Sequence, residues 1–234
     1  MFLFPFNVDV PMQRVPLANW ALIAVTVLLS LAFLADPSAE LSDTLVLQRD
    51  NFSMAQLVGH LFAHAGFLHL FGNMAFLFCF GNAINAKPGH LPFLGLYFAA
   101  GIAGGLAWLA VGGGGALIGA SGAVMGMAGA FLMFYPRNDV SVLYWFIVVA
   151  GTFQISSYFL ILIYIALDIW GMAAGGGPVA YSAHVAGAMV GLAVSGTLAM
   201  VRLAPPGRGE ENLFQLIGLH PRTDTRGPGD DLYY

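Results

Sequence analysis

Six apolar runs constrain this chain more than anything else in it: residues 17–35, 67–82, 92–111, 121–135, 154–170 and 180–203. Only 9% of the 234 residues are charged, against about 25% in an average soluble domain. Such runs belong in lipid. There the backbone must satisfy its own hydrogen bonds, which leaves helices as the spanning element for segments of this length. The patterning therefore predicts an all-α, polytopic membrane protein of six transmembrane helices in a single domain. Residues 1–16 are apolar but broken by Pro5, Pro11 and Pro16, and read as a membrane-surface arm. Residues 36–56 form a long acidic loop, 140–152 an extended or surface-lying piece, and 204–234 a polar, flexible tail. The net charge of −4 gives no footing for nucleic acid. The lone cysteine, Cys79, allows no intramolecular disulfide and reads as a packing residue.

An even number of spans puts both termini on one side of the lipid bilayer. Arg14, Lys87, Arg137, Arg202, Arg208, Arg222 and Arg226 fall at the N-terminus, in even loops or in the tail, and only Arg49 falls in an odd loop. Basic residues stay inside, so both termini are expected in the cytoplasm, with the loop before Ser121 facing outward.

The fourth run is short. From Ser121 to Tyr135 a helix measures about 22 Å, while the hydrocarbon core is about 30 Å thick. Four glycines and a short loop lead into Gly119-Ala120-Ser121-Gly122, so the serine is expected below one membrane surface at a helix N-terminus. Free N–H groups beside a hydroxyl suit a nucleophile and an oxyanion site. On this stretch alone the plainer reading is a glycine-rich helix-packing segment with an incidental serine.

His184 opens the sixth run. Gly187 and Gly191 share its helical face, and Gly122 and Gly126 form a matching small-residue pair after Ser121. Two such faces let helix backbones approach closely. If they face one another, His184 comes within reach of Ser121 as the base a serine nucleophile needs. The competing reading is helix packing with His184 as a structural polar group.

A second polar cluster, His60, His64, His69 and Asn73, surrounds the start of the second run. Metal binding is one reading, since histidines at i and i+4 share a face. On one continuous helix, however, His60 and His64 point about 180° away from His69 and Asn73, and no carboxylate or cysteine lies nearby. The other reading makes His69 and Asn73 a neutral donor pair for a developing oxyanion, with His60 and His64 tying down the preceding loop.

H-x4-H-x3-N ending at Asn73, G-x-S-G around Ser121, and H-x2-G-x3-G from His184, in that order and each on the matching run, resemble the rhomboid family of intramembrane serine proteases in its six-helix bacterial layout. The resemblance covers residues 17–203 and leaves out the tail. It implies a serine endopeptidase with Ser121 as nucleophile and His184 as general base and acid. His69, Asn73 and the Ser121 N–H would form the oxyanion hole, and His60 and His64 would hydrogen-bond near the loop. Gly119, Gly122, Gly126, Gly187 and Gly191 would be structural near the site. It implies substrates that are transmembrane segments of other proteins, no cofactor or metal, and a bacterial inner (plasma) membrane location.

The sequence also departs from that pattern. Met125 stands where many relatives carry an aromatic that stacks on the histidine. A Trp-Arg pair in the first loop is not evident, and Asn85 stands near the place of an expected glutamate. Asp168, near the end of its run, is read as a cap or loop anchor and not as a triad acid. The alternative function is a catalytically inactive relative that binds membrane clients. A transporter is the third class, and the lack of paired midplane charges speaks against it.

Overall fold

Helices form where the apolar runs predict them. In the computed structural model, which describes residues 2–111, 115–146, 148–175, 179–207 and 210–220, α1 covers Leu17–Ala35. The acidic loop then holds α2 (Ala39–Leu45), the short strand β2 (Leu47–Gln48) and α3 (Gln56–Gly59), which tightens into a 3-10 turn over His60–Phe62. The second span is one rod in three parts: α4 (Phe67–Phe76), a π-helical turn (Leu77–Gly81) and α5 (Asn82–Ala86). After it come α6 (His90–Val111), the short strand β3 (Ala116–Leu117) and α7 (Ser121–Phe134). Strands β4 (Asp139–Phe146) and β5 (Val149–Ser156) lead into α8 (Ser157–Ala173), α9 (Tyr181–Met200) and the tail helix α10 (Leu213–Leu216). The molecule is mostly helical. Four helices, Leu17–Ala35, Phe67–Ala86, His90–Val111 and Tyr181–Met200, are long and apolar enough to cross a membrane, and Ser121–Phe134 and Ser157–Ala173 are shorter apolar helices.

The fold is not purely α. Strand β1 (Phe2–Val8) pairs antiparallel with β4, which pairs with β5 in a three-stranded sheet. The 1–16 arm thus starts as a strand, and residues expected at 140–152 as an extended piece form a hairpin. Val140 and Val142 alternate inward into the core, the period-2 pattern of a half-buried strand. The aromatic ring of Phe4 stacks on Phe71 at 5.5 Å and meets Phe76 edge-on at 6.3 Å, so the sheet lies along α4.

α7 is the buried centre. Every residue from Gly122 to Phe134 is buried, and at 14 residues the helix is about 21 Å long. Pro136 follows its C-cap and cannot continue it. α9 and α6 flank it through small residues. A Cβ built on Gly187 would lie 1.9 Å from the Gly122 carbonyl oxygen, and one on Gly191 would lie 1.9 Å from that of Gly126. Backbones this close admit only glycine, which fixes the α7–α9 spacing.

Residues 210–220 of the tail pack on the bundle. Asn212 caps α10 in a capping box with Gln215, bonds of 3.0 Å each way, and the Phe214 ring lies against Gly196 of α9. Glu210 pairs with Lys87, both buried, and the Lys87 ammonium lies 4.4 Å from the centre of the Tyr135 ring. Residues 210–220 are therefore docked at the end of the bundle opposite Ser121. Residues 112–114 of the glycine loop, 176–178 of the loop before the last long helix, and Arg208, Arg222 and Arg226 lie outside the described residues.

Candidate active site

The site grows from the turn into α7. Gly119 adopts φ +115°, a conformation side chains disfavour, and a Cβ there would meet His69 Cε1 at 2.6 Å. Two preceding histidines hold this turn from behind. The Gly119 N–H donates to the His60 carbonyl at 2.8 Å, and the Ala120 N–H donates to His64 Nε2 at 3.3 Å. The first intrahelical bond is Val124 N–H to the Ala120 carbonyl, 2.9 Å. The N–H groups of Ser121, Gly122 and Ala123 thus come before the first turn closes, as at any helix N-terminus.

His64 has one self-consistent arrangement. Since Nε2 accepts from Ala120, Nδ1 carries the proton and donates to Ser30 Oγ at 2.9 Å, while Ser30 donates to the Phe62 carbonyl at 2.8 Å. His64 is fully buried; burial first, and His69 alongside second, hold its pKa at about 3, so the ring stays neutral. His60 is lowered too, by burial above all, although its bond to the Gln56 carbonyl at 2.8 Å pulls the other way. Gln56 is a hub: its oxygen accepts from the Gln48 and Ser53 N–H groups, and its nitrogen donates to the Asp43 and Asn51 carbonyls.

The chain breaks helix at Ala63, whose φ −111° and ψ 146° are extended, and restarts at Phe67. The continuous helix assumed in setting His60 and His64 opposite His69 and Asn73 does not exist, and His64 meets His69 edge to face at 5.0 Å. His69 Nδ1 accepts from the Ala65 N–H at 3.3 Å, which leaves the proton on Nε2 as a free donor. Asn73 spends one N–H on the His69 carbonyl, 2.9 Å, and retains the other. No group of three or more histidine, cysteine or acidic side chains is placed to hold a metal among the described residues.

Ser121, His184, His69 and Asn73 line one cavity of about 810 Å³ between the loops at this end of the bundle. The same four, with Met125, Asp168 and Tyr164, also line a more apolar cleft of about 430 Å³ between α4 and α8, where Phe76 and Tyr164 meet at 5.8 Å. The four site residues lie on α4, α7 and α9, and the α7–α9 glycine contact brings the first turns of those two helices together. Asp168 is not a cap. It is buried, and its Oδ1 lies 3.1 Å from His184 Nδ1. The first loop has a different tie, across two elements: Arg49 donates to the Trp108 carbonyl of α6 at 3.0 Å and lies over its ring at 5.6 Å. Neither pair is adjacent in sequence, so spacing could not signal it. Buried Asn85 joins buried Asn19 and Asn82, and the exposed His90, in a polar network at the opposite end.

A family model described as the rhomboid domain matches residues 51–201. Among curated proteins none matches the chain.

Proposed function

Since the chain belongs to the rhomboid family, we propose that it is an active intramembrane serine endopeptidase that cleaves transmembrane segments of other membrane proteins. The catalytic domain would be residues 17–203, with the short apolar helices α7 and α8 completing six membrane crossings. Both termini would face the cytoplasm, and a bacterial inner membrane would be its location. One observation carries the reading: Ser121 and His184 begin helices whose spacing is fixed by glycine contact, and both open onto one cavity with two neutral donors on its wall.

In this mechanism Ser121 Oγ attacks the scissile carbonyl as His184 takes its proton. The oxyanion is held by His69 Nε2–H, by the free Asn73 N–H and by the Ser121 backbone N–H, donors already oriented before charge develops. His184 then protonates the leaving amine. Water, deprotonated by the same ring, hydrolyses the acyl-enzyme. No step draws on a metal or cofactor. The apolar cleft between α4 and α8 suits an apolar segment approaching from the bilayer.

The test is a fluorophosphonate probe on the full chain in detergent micelles. Wild type is labelled at Ser121. Ser121→Ala and His184→Ala each lose labelling and cleavage of a transmembrane substrate, and the double variant is no worse than either. An inactive client-binding protein would not be labelled. Substantial proteolysis by Ser121→Ala would sink the proposal.

A further inference from the structure

Asp168 is the only acidic side chain in the six apolar helices. A carboxylate at such a position is costly and calls for a partner. Its partner is the histidine of the site: Asp168 Oδ1 lies 3.1 Å from His184 Nδ1, and the two side chains are 12% and 16% exposed. We propose that Asp168 is a positioning residue that fixes the tautomer and ring orientation of His184. This rests on the protease reading only for its catalytic consequence.

An ionised carboxylate only accepts, so the proton on this contact sits on His184 Nδ1. In the neutral ring Nε2 then bears the lone pair, the form required to remove the Ser121 proton. When Ser121 attacks, Nε2 gains that proton, and the imidazolium forms with a carboxylate beside it. The proton stays on the ring and Asp168 remains ionised. The contact also ties α8 to α9 at the level of the nucleophile. It holds the ring by its edge in a chain where Met125, not an aromatic, stands four residues after Ser121.

The experiment uses the full chain in micelles and compares wild type with the isosteric Asp168→Asn and with Asp168→Leu. Fluorophosphonate inactivation is resolved into a maximal rate and a half-saturating concentration. Both variants are expected to lose at least about 10-fold in the maximal rate, with half-saturation within about twofold. Melting temperature should be unchanged or higher, because a desolvated charge has been removed. A residue with a merely structural role gives the converse, a lower melting temperature with the rate per folded molecule kept, and that result overturns the proposal. Nitrogen-15 spectra of histidine-labelled protein, with His184 assigned by His184→Gln, need no turnover. Wild type should show a protonated, pyrrole-type Nδ1 on His184, and Asp168→Leu should lose that single state. A pyridine-type Nδ1 in wild type overturns the inference whatever the labelling shows. Absent labelling of wild type with a pyrrole-type Nδ1 refutes the protease reading and leaves the positioning contact intact.

Discussion

Gly187→Ala adds one methyl group where the structure has no room for it. The new Cβ would stand 1.9 Å from the Gly122 carbonyl oxygen and 2.8 Å from its carbon, where real Cβ contacts essentially never fall below 3.0 Å. Both obstructing atoms are backbone, so no rotamer relieves the clash and the helices must part by about 1.1 Å or more to restore contact distance. Gly122 adjoins Ser121, and His184 lies three residues before Gly187, so the separation is felt at the Ser121–His184 pair. A displacement of about 1 Å in a catalytic pair costs roughly 10²-fold in rate, and overpacking of this kind costs about 1–3 kcal/mol in stability. Labelling rate by a fluorophosphonate, normalised to folded protein by detergent size exclusion, reads the first; thermal unfolding reads the second. Gly95→Ala is the internal control. A Cβ at Gly95 meets nothing within 4 Å, so that variant keeps full labelling and gains about 0.5–1 kcal/mol from the helix. Wild-type labelling and stability in Gly187→Ala would show that α7 and α9 do not meet at these glycines, and the reasoning would fail.

Asn73→Ala removes one oxyanion donor and is expected to lower cleavage about 10²–10³-fold with unchanged melting; equal turnover at equal expression would remove Asn73 from the site. Lys87→Met leaves buried Glu210 without its cation and is expected to cost about 3–5 kcal/mol, most of it regained in Lys87→Met/Glu210→Gln, as read by thermal unfolding. His64 titrates near 3 when folded and at 6.5 as a free side chain. Between those values only the unfolded chain takes up the proton, so stability falls as pH drops from about 6.5 toward 3. Melting from pH 7 to pH 4 should show that slope, and His64→Gln should reduce it.

The parts of this fold readable from sequence are those with short-range signals. Apolar runs and prolines located the long helices to within a few residues, and the glycines spaced from Ser121 and His184 marked the faces that meet. What escaped depends on partners far apart in the chain. The extended stretch at 140–152 is legible in the sequence, but its pairing with β1 is named by no local pattern. Arg49 and Trp108 form an anchor from different elements. The fit of Glu210 to Lys87 joins residues 123 apart in the chain, and no local pattern names it. Asp168, near the end of a run, looks like a cap in sequence, whereas its partner, His184, lies 16 residues on in another helix.

The pairing of β1 with β4 also sets an order of events during synthesis. Phe2 is matched with Trp145 and Val8 with Val140, so β1, once made, finds its neighbour only after about 130 further residues have been added, a markedly non-local contact. At about 5–20 residues per second, that interval is on the order of ten seconds. Throughout it, an apolar strand with unpaired backbone groups must stay out of competing pairings. Helices α1 to α7 are made before it can dock. A bulky fusion at the N-terminus therefore loads the segment with the longest wait and the last long-range move, and its penalty should fall on folding yield and not on the stability of molecules that have folded.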